Sequence, residues 1–136
     1  MPVTPRNMAD SAKTKIVTYQ IADLAAGADI ADIPFLRCPT DITVTEIGII
    51  PEAAGAGIDA ANTSVFLVKV GATTITTKTY NNVTLFPAKG VYDSLGNISN
   101  ADRLEGDVMT LSITNGATAD TPAGTLQVEY IINENV

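Results

Sequence analysis

The sequence predicts an all-β chain folded as a jelly-roll-like antiparallel β-sandwich of about eight strands. From Lys15 onward apolar side chains alternate with polar ones, β-branched residues fill the alternating stretches, and turn residues interrupt them at short intervals. Helical periodicity is nearly absent. Long connections between some of the strands favour a jelly roll over an up-and-down barrel. The 136 residues make one domain. A chain of this size removes roughly two thirds of its unfolded surface from water and needs no disulfide or metal to fold. We divide it into a flexible N-terminal arm over residues 1–14 and a single sandwich domain over residues 15–136.

A first strand is expected over Lys15 to Ile21, with Val17, Tyr19 and Ile21 on one face and Thr18 and Gln20 on the other. Asp23 to Asp32, rich in Ala and Gly, reads as a loop with room for one helical turn. Ile33 to Cys38 is a short strand that Pro39 stops. Asp41 to Pro51 is more informative, because Ile42 and Val44 share a face whereas Ile47 and Ile49 have the opposite parity. A bulge near Thr45 and Glu46 would switch the face, as would cover on both sides beyond that point; either suits a strand turning a corner between sheets. Glu52 to Asn62 is a flexible excursion, too glycine-rich for a helix.

Thr63 to Gly71 sets Phe66, Val68 and Val70 against Val65, Leu67 and Lys69, so both faces are largely apolar and the strand is central. Ala72 to Tyr80 is threonine-rich, as an edge strand would be, with Lys78 guarding the edge. Asn81-Asn82 supports a hairpin turn into a strand over Val83 to Phe86. Pro87 to Asn100 is irregular, with room for a short strand around Val91 to Ser94. Glu105-Gly106-Asp107 makes a turn that launches Val108 to Thr114, with Met109, Leu111 and Ile113 inward. Asn115 to Pro122 then loops to Gly124 to Ile132, where Leu126, Val128, Tyr130 and Ile132 share a face. Tyr19, Phe35, Phe66, Phe86 and Tyr130 fall on core positions of this pattern. Tyr80 and Tyr92, near turns, are the candidates for an exposed contact.

Composition narrows function further. The chain has no histidine, which removes Ser-His and Cys-His nucleophiles, His-containing metal sites and the usual general base near neutral pH. Its one cysteine, Cys38, excludes thiolate zinc sites and an internal disulfide, and Phe35-Leu36-Arg37-Cys38-Pro39 reads as a buried strand end. Eight Lys and Arg against fifteen Asp and Glu give a net charge of -7, which repels phosphate backbones and argues against a nucleic-acid partner. No apolar run is long enough for a membrane span. The first residues, with Arg6 and Lys13 but no apolar core, do not read as a signal peptide, so the chain is expected in a cytoplasm or released by lysis or assembly. The sequons at Asn62, Asn82 and Asn97 are then chance products of a chain rich in Asn, Ser and Thr.

Acidic residues are the remaining reactive class. Asp23, Asp29 and Asp32 fall in one loop and Asp102, Glu105 and Asp107 in another, where oxygen ligands for calcium would be found. Neither loop has the spacing of a known calcium loop, so turn capping and solubility are their expected roles and no metal or cofactor is assigned. Glycoside hydrolysis by paired carboxylates needs a cleft that holds them about 5 to 10 Å apart, and the aromatic platforms that usually surround the sugar are missing from a chain with no tryptophan. Gly55-Ala56-Gly57 lacks the lysine of a phosphate loop. The expectation is a protein that is not an enzyme, with no catalytic residues.

Several stretches are similar in style and order to a known group: Ile33-Pro34-Phe35-Leu36-Arg37-Cys38-Pro39, Ile42-Thr43-Val44-Thr45 through Ile49-Ile50-Pro51-Glu52-Ala53, Glu105-Gly106-Asp107-Val108-Met109, and Pro122-Ala123-Gly124-Thr125-Leu126-Gln127-Val128-Glu129-Tyr130. They span most of the chain from Ile33 on, and the chain resembles the small β-rich proteins of tailed-bacteriophage structural modules, of the head-decoration or head-fibre kind. The resemblance implies a virion protein that coats the outer surface of an assembled capsid. It would bind the major capsid protein as a monomer or homotrimer and reinforce the shell, with no catalytic residues to carry over. The Lys- and Arg-poor N-terminal arm departs from that pattern and leaves the mode of attachment open. The competing expectation is a carbohydrate- or receptor-binding β-sandwich module of a phage fibre or base plate.

Overall fold

The computed structural model describes residues 14–133, and there the chain is all β. Nine strands follow in order: β1 (Thr14–Ile21), β2 (Ile30–Arg37), β3 (Ile42–Pro51), β4 (Ser64–Val70), β5 (Thr73–Tyr80), β6 (Asp93–Ser94), β7 (Asp102–Arg103), β8 (Val108–Asn115) and β9 (Gly124–Ile132). One sheet runs β1-β9-β3, with the short β6 and β7 both on the far side of β3; the other runs β2-β8-β4-β5. All pairings are antiparallel; β1 with β9, β2 with β8, β3 with β6 and β7, and β4 with β5 nest within one another, while β3–β9 and β4–β8 join these pairs into the two sheets. The two sheets pack as an all-β sandwich around a single core. The N-terminal arm falls outside the described residues except for Thr14, which already belongs to β1.

Period two puts the apolar set inside. Phe66 and Val68 of β4, Met109, Leu111 and Ile113 of β8, and Leu126, Val128 and Tyr130 of β9 are buried, and β4 is central as its two apolar faces predict. Each such side chain contributes about 1.5 to 3 kcal/mol on leaving water. In β3 the phase changes by a bulge: Val44 pairs with Tyr130 and Glu46 with Glu129, so Thr45 is the extra residue. Ile42, Val44, Ile47 and Ile49 are thereby all buried. The strand does not turn a corner, however. It stays on β9 from Ile42 to Pro51, because one extra residue re-aims the side chains without leaving the ladder.

Three expectations about these elements are corrected. The strand after the first loop begins at Ile30 rather than Ile33 and reaches the earlier start through an irregularity in its pairing with β8, where Asp32 takes a φ of 49°. Val83 to Phe86 is not a strand, because the Asn81 side chain accepts the Val83 and Thr84 amides at 2.8 Å each and curls the segment. Tyr80 is not exposed but fully buried, its ring packed edge-on against Phe66 and Phe86 at 5.6 and 5.2 Å. β5 is an edge strand as expected, and its Lys78 points inward. It shares the inward face with Phe66 and Tyr80 and reaches Asp93.

That last contact closes the open flank between β5 of one sheet and β3 of the other. Asp93 Oδ2 accepts hydrogen bonds from Lys78 Nζ at 2.7 Å and from the Tyr80 hydroxyl at 2.6 Å, and Lys78 also donates to the Ser94 carbonyl at 2.9 Å. Leu95 is buried beside them, its amide on the Ile47 carbonyl, while the buried Thr76 hydroxyl reaches the carbonyls of Leu95 and Asn97. An apolar plug and a charged clamp thus tie the two sheets. Asp93→Ala leaves Lys78 half-buried without its carboxylate and is expected to lower stability in urea unfolding by about 2 kcal/mol, more than Asp93→Asn does; a variant as stable as the parent contradicts the clamp.

Candidate functional site

The acidic loops do not converge. Asp29 accepts the Asn115 amide at 2.7 Å, and Asp32 pairs with Lys69 at 2.9 Å, whose hydrogen bond and charge hold its carboxyl below the ordinary range. In the other loop, Asp102 accepts from the Thr43 hydroxyl, the Glu105 amide bonds Asp41, and Asp107 accepts the Leu104 amide while facing Arg103 at 3.7 Å. Each of these carboxylates other than Asp23 and Glu105 is thus placed in a turn, a strand end or an ion pair. Among the described residues no three His, Cys, Asp or Glu side chains are grouped to hold a metal ion. Cys38 is fully buried, and burial, together with the nearby Asp107, pushes its thiol up. A raised pKa is the opposite of what a nucleophile needs.

The register places the long connections at one pole. Ile21, Pro51 and Gly124 end one sheet there, and Ile30, Ser64, Tyr80 and Asn115 end the other. The segments 22–29, 52–63, 81–92 and 116–123 therefore share this end, opposite Thr14 and Asn133. Segment 116–123 is the hub. Thr121 bridges Leu24, Asp120 bridges Ala56, and Thr118 donates to the Gly57 carbonyl at 2.7 Å. Gly57 (φ 65°) runs so close to the Thr118 carbonyl that a Cβ there would overlap it. The stretch over 52–62, expected to be a free excursion, is in this way tied down; Asp59 further caps it by accepting the Ala61 and Asn62 amides.

On this pole the loop 81–92 carries the most exposed aliphatic side chains. Val83 is 82% and Leu85 70% exposed, with Val91 at 51%. Three tethers hold the loop. Asn81 caps its start, Phe86 packs on Tyr80 and Phe66, and the Gly90 amide donates to the Pro51 carbonyl at 2.8 Å. Two aliphatic groups held out by an ordered loop would lose little further conformational entropy on being covered. Period-two spacing in Val83-Thr84-Leu85-Phe86 hid this by imitating a strand; the signal that could have revealed it is Asn81 ahead and Pro87 behind.

Two further features lie elsewhere. A groove of about 480 Å³ beside β5 is lined by Thr74, Thr77, Thr79, Thr84, Gly96 and Asn97 among others, with Lys78 its charged group already engaged by Asp93. On the outer face of the other sheet, Tyr92 lies on Gly48, where any Cβ would meet its ring, and its hydroxyl donates to Glu46 at 3.1 Å. Partial burial, then the Glu46 charge and hydrogen bond, push the Tyr92 hydroxyl up to about 12. Compared with known proteins, the chain matches no family model, no curated protein and no solved structure.

Two measurements follow from this geometry. The unfolded chain ionises Tyr92 near the ordinary value of about 10, so its share of stability is complete below that pH and is lost as pH rises from there through about 12. Spectrophotometric titration should show this late tyrosine, and Glu46→Gln should move it back toward the ordinary value; an unmoved titration contradicts the contact. Inside the loop-bearing pole Ser64 is buried and pairs in register with Asn115, and among the described residues neither Ser64 Oγ nor Asn115 Oδ1 has a hydrogen-bond partner. Ser64→Ala removes one stranded polar group and is expected to raise stability by about 1 kcal/mol; a loss of that size shows the hydroxyl is paired in solution.

Proposed function

We propose that this chain is a non-catalytic accessory protein of a bacteriophage head, seated on the outer surface of the assembled capsid through its loop-bearing pole. The observation that carries the reading is the pair Val83 and Leu85, held out from a loop anchored at Asn81, Phe86 and Gly90. Covering both side chains would contribute about 1.5 to 3 kcal/mol each. That is weak for one copy and sufficient for many copies on a repeating lattice. The nested pairing of the nine strands supports reading the sandwich as a jelly roll, with its connections gathered at the end that docks. The partner is then the major capsid protein, and the protein resides on the virion. The absence of histidine and the dispersal of the carboxylates support a role without turnover.

A second reading is a glycan- or receptor-binding module of a fibre or base plate, favoured by the hydroxyl-lined groove beside β5. Co-sedimentation separates the two. The purified protein is expected to sediment with expanded heads of the phage that encodes it, and Val83→Ser with Leu85→Ser to cut the bound copies at least tenfold while the thermal midpoint stays within a few degrees. No co-sedimentation, with binding on a glycan array that Thr77→Ala and Thr79→Ala abolish, would overturn the capsid reading.

A further inference from the structure

Each sheet has two outer strands, and three of the four outer edges are interrupted or covered. The pairing of β2 with β8 breaks twice, between Ile30 and Ile33 and between Pro34 and Leu36, and Pro34 has no amide hydrogen to offer. β5 is bulged at Ile75, where its pairing with β4 slips, and there the Ser99 amide takes the Ile75 carbonyl at 2.8 Å and the Asn100 side chain takes that of Thr74 at 3.1 Å. The far side of β3 is occupied by β6 and β7, with the Leu95 amide on the Ile47 carbonyl and the Val44 amide on the Ala101 carbonyl between them.

β1 is different. It pairs with β9 without a break from Thr14↔Ile131 to Ile21↔Gly124, and it contains no proline, no bulge and no residue of positive φ. Alternate residues of such a strand turn their N–H and C=O groups away from the one neighbour they have. Among the described residues no backbone group outside β9 bonds to β1, and Ile16 is 58% exposed. A long, regular, uncovered edge is a template for another strand.

Which strand can pair with it follows from the other edges. On a second copy of the chain the only uninterrupted, uncovered edge among the described residues is β1 itself. Pairing the same surface on both copies is isologous, antiparallel by symmetry, and closes at two. Charge does not forbid it: the chain carries -7 overall, which pushes copies apart, but Thr14–Ile21 contains no Asp or Glu, and about an axis at Thr18 its one charge, Lys15, falls opposite Ile21 rather than the other Lys15. We propose that the protein self-associates as a two-fold dimer through β1–β1 pairing, which joins two β1-β9-β3 sheets into one continuous sheet. With the axis at Thr18, Val17 of each copy faces Tyr19 of the other, an aromatic and β-branched pair of the kind that stabilises sheets. This inference rests on the sheet edges alone and is independent of capsid binding.

The test is the mass of the full chain in solution across a dilution series, read by sedimentation equilibrium with amide exchange of residues 14–21 alongside. A mass of twice the 14.2 kDa chain is expected, with β1 amides that lose protection on dilution. Thr18→Lys sets like charges opposite each other at the axis and should weaken the dimer at least tenfold while the circular-dichroism spectrum stays that of the parent. A monomer at every concentration, a trimer, or a dimer that Thr18→Lys leaves intact would each overturn the proposal. So would a monomer whose β1 amides are protected at all concentrations, since another part of the chain would then cover the edge.

Discussion

A β-strand shows one face to the core only while its apolar residues keep even spacing, and the fold depends on how β3 meets that constraint. Its apolar residues change parity between Val44 and Ile47. Without a remedy, half of the strand would turn Ile47 and Ile49 to water and Glu46 to the core, at a cost of several kcal/mol. The extra residue Thr45 absorbs the change, and its hydroxyl donates to the Glu129 carbonyl at 3.1 Å. Everything stacked on β3 inherits the corrected phase. β9 packs along its whole length, β6 and β7 complete its far side, and Leu95 enters the core at the level of Ile47.

From that frame the two ends of the sandwich acquire different characters. One pole carries the long segments, laced by backbone bridges through residues 116–123, and offers ordered aliphatic side chains to solvent. At the other pole Gly106 and Asp107 zip onto Cys38 through backbone hydrogen bonds at 2.8 Å each, a compact closure beside the exposed Leu104 and Val108. The flank between the sheets is sealed by Asp93, Lys78 and Leu95.

Long, regular strands were legible in the sequence because burial on one face writes itself as period two. β1, β4, β8 and β9 are each recognisable from their alternation, and the parity switch of β3 pointed to a bulge at Thr45 and Glu46. Short elements leave no such trace. The two-residue strands β6 and β7 are too brief to show a period, so the sealing of the flank by residues 93–103 was invisible. Tyr80 looked exposed because Asn81-Asn82 follows it, yet the aromatic cluster with Phe66 and Phe86 is assembled by tertiary packing that local sequence does not encode. Val83 to Phe86 misled in the opposite sense, since alternation over four residues can be imposed by a side-chain-capped loop as readily as by a strand. The candidate site therefore came from the structure, while the lack of histidine and the excess of acidic over basic residues were plain from composition.

The phase of β3 is what an experiment can address most directly. Nuclear Overhauser contacts between β3 and β9 are expected to link Val44 with Tyr130 and Ile47 with Val128, leaving Thr45 without an opposite residue. Contacts that instead set Thr45 opposite Glu129 and Ile47 opposite Gln127, in one unbroken register, would contradict the account, because the second half of β3 would then face away from the core.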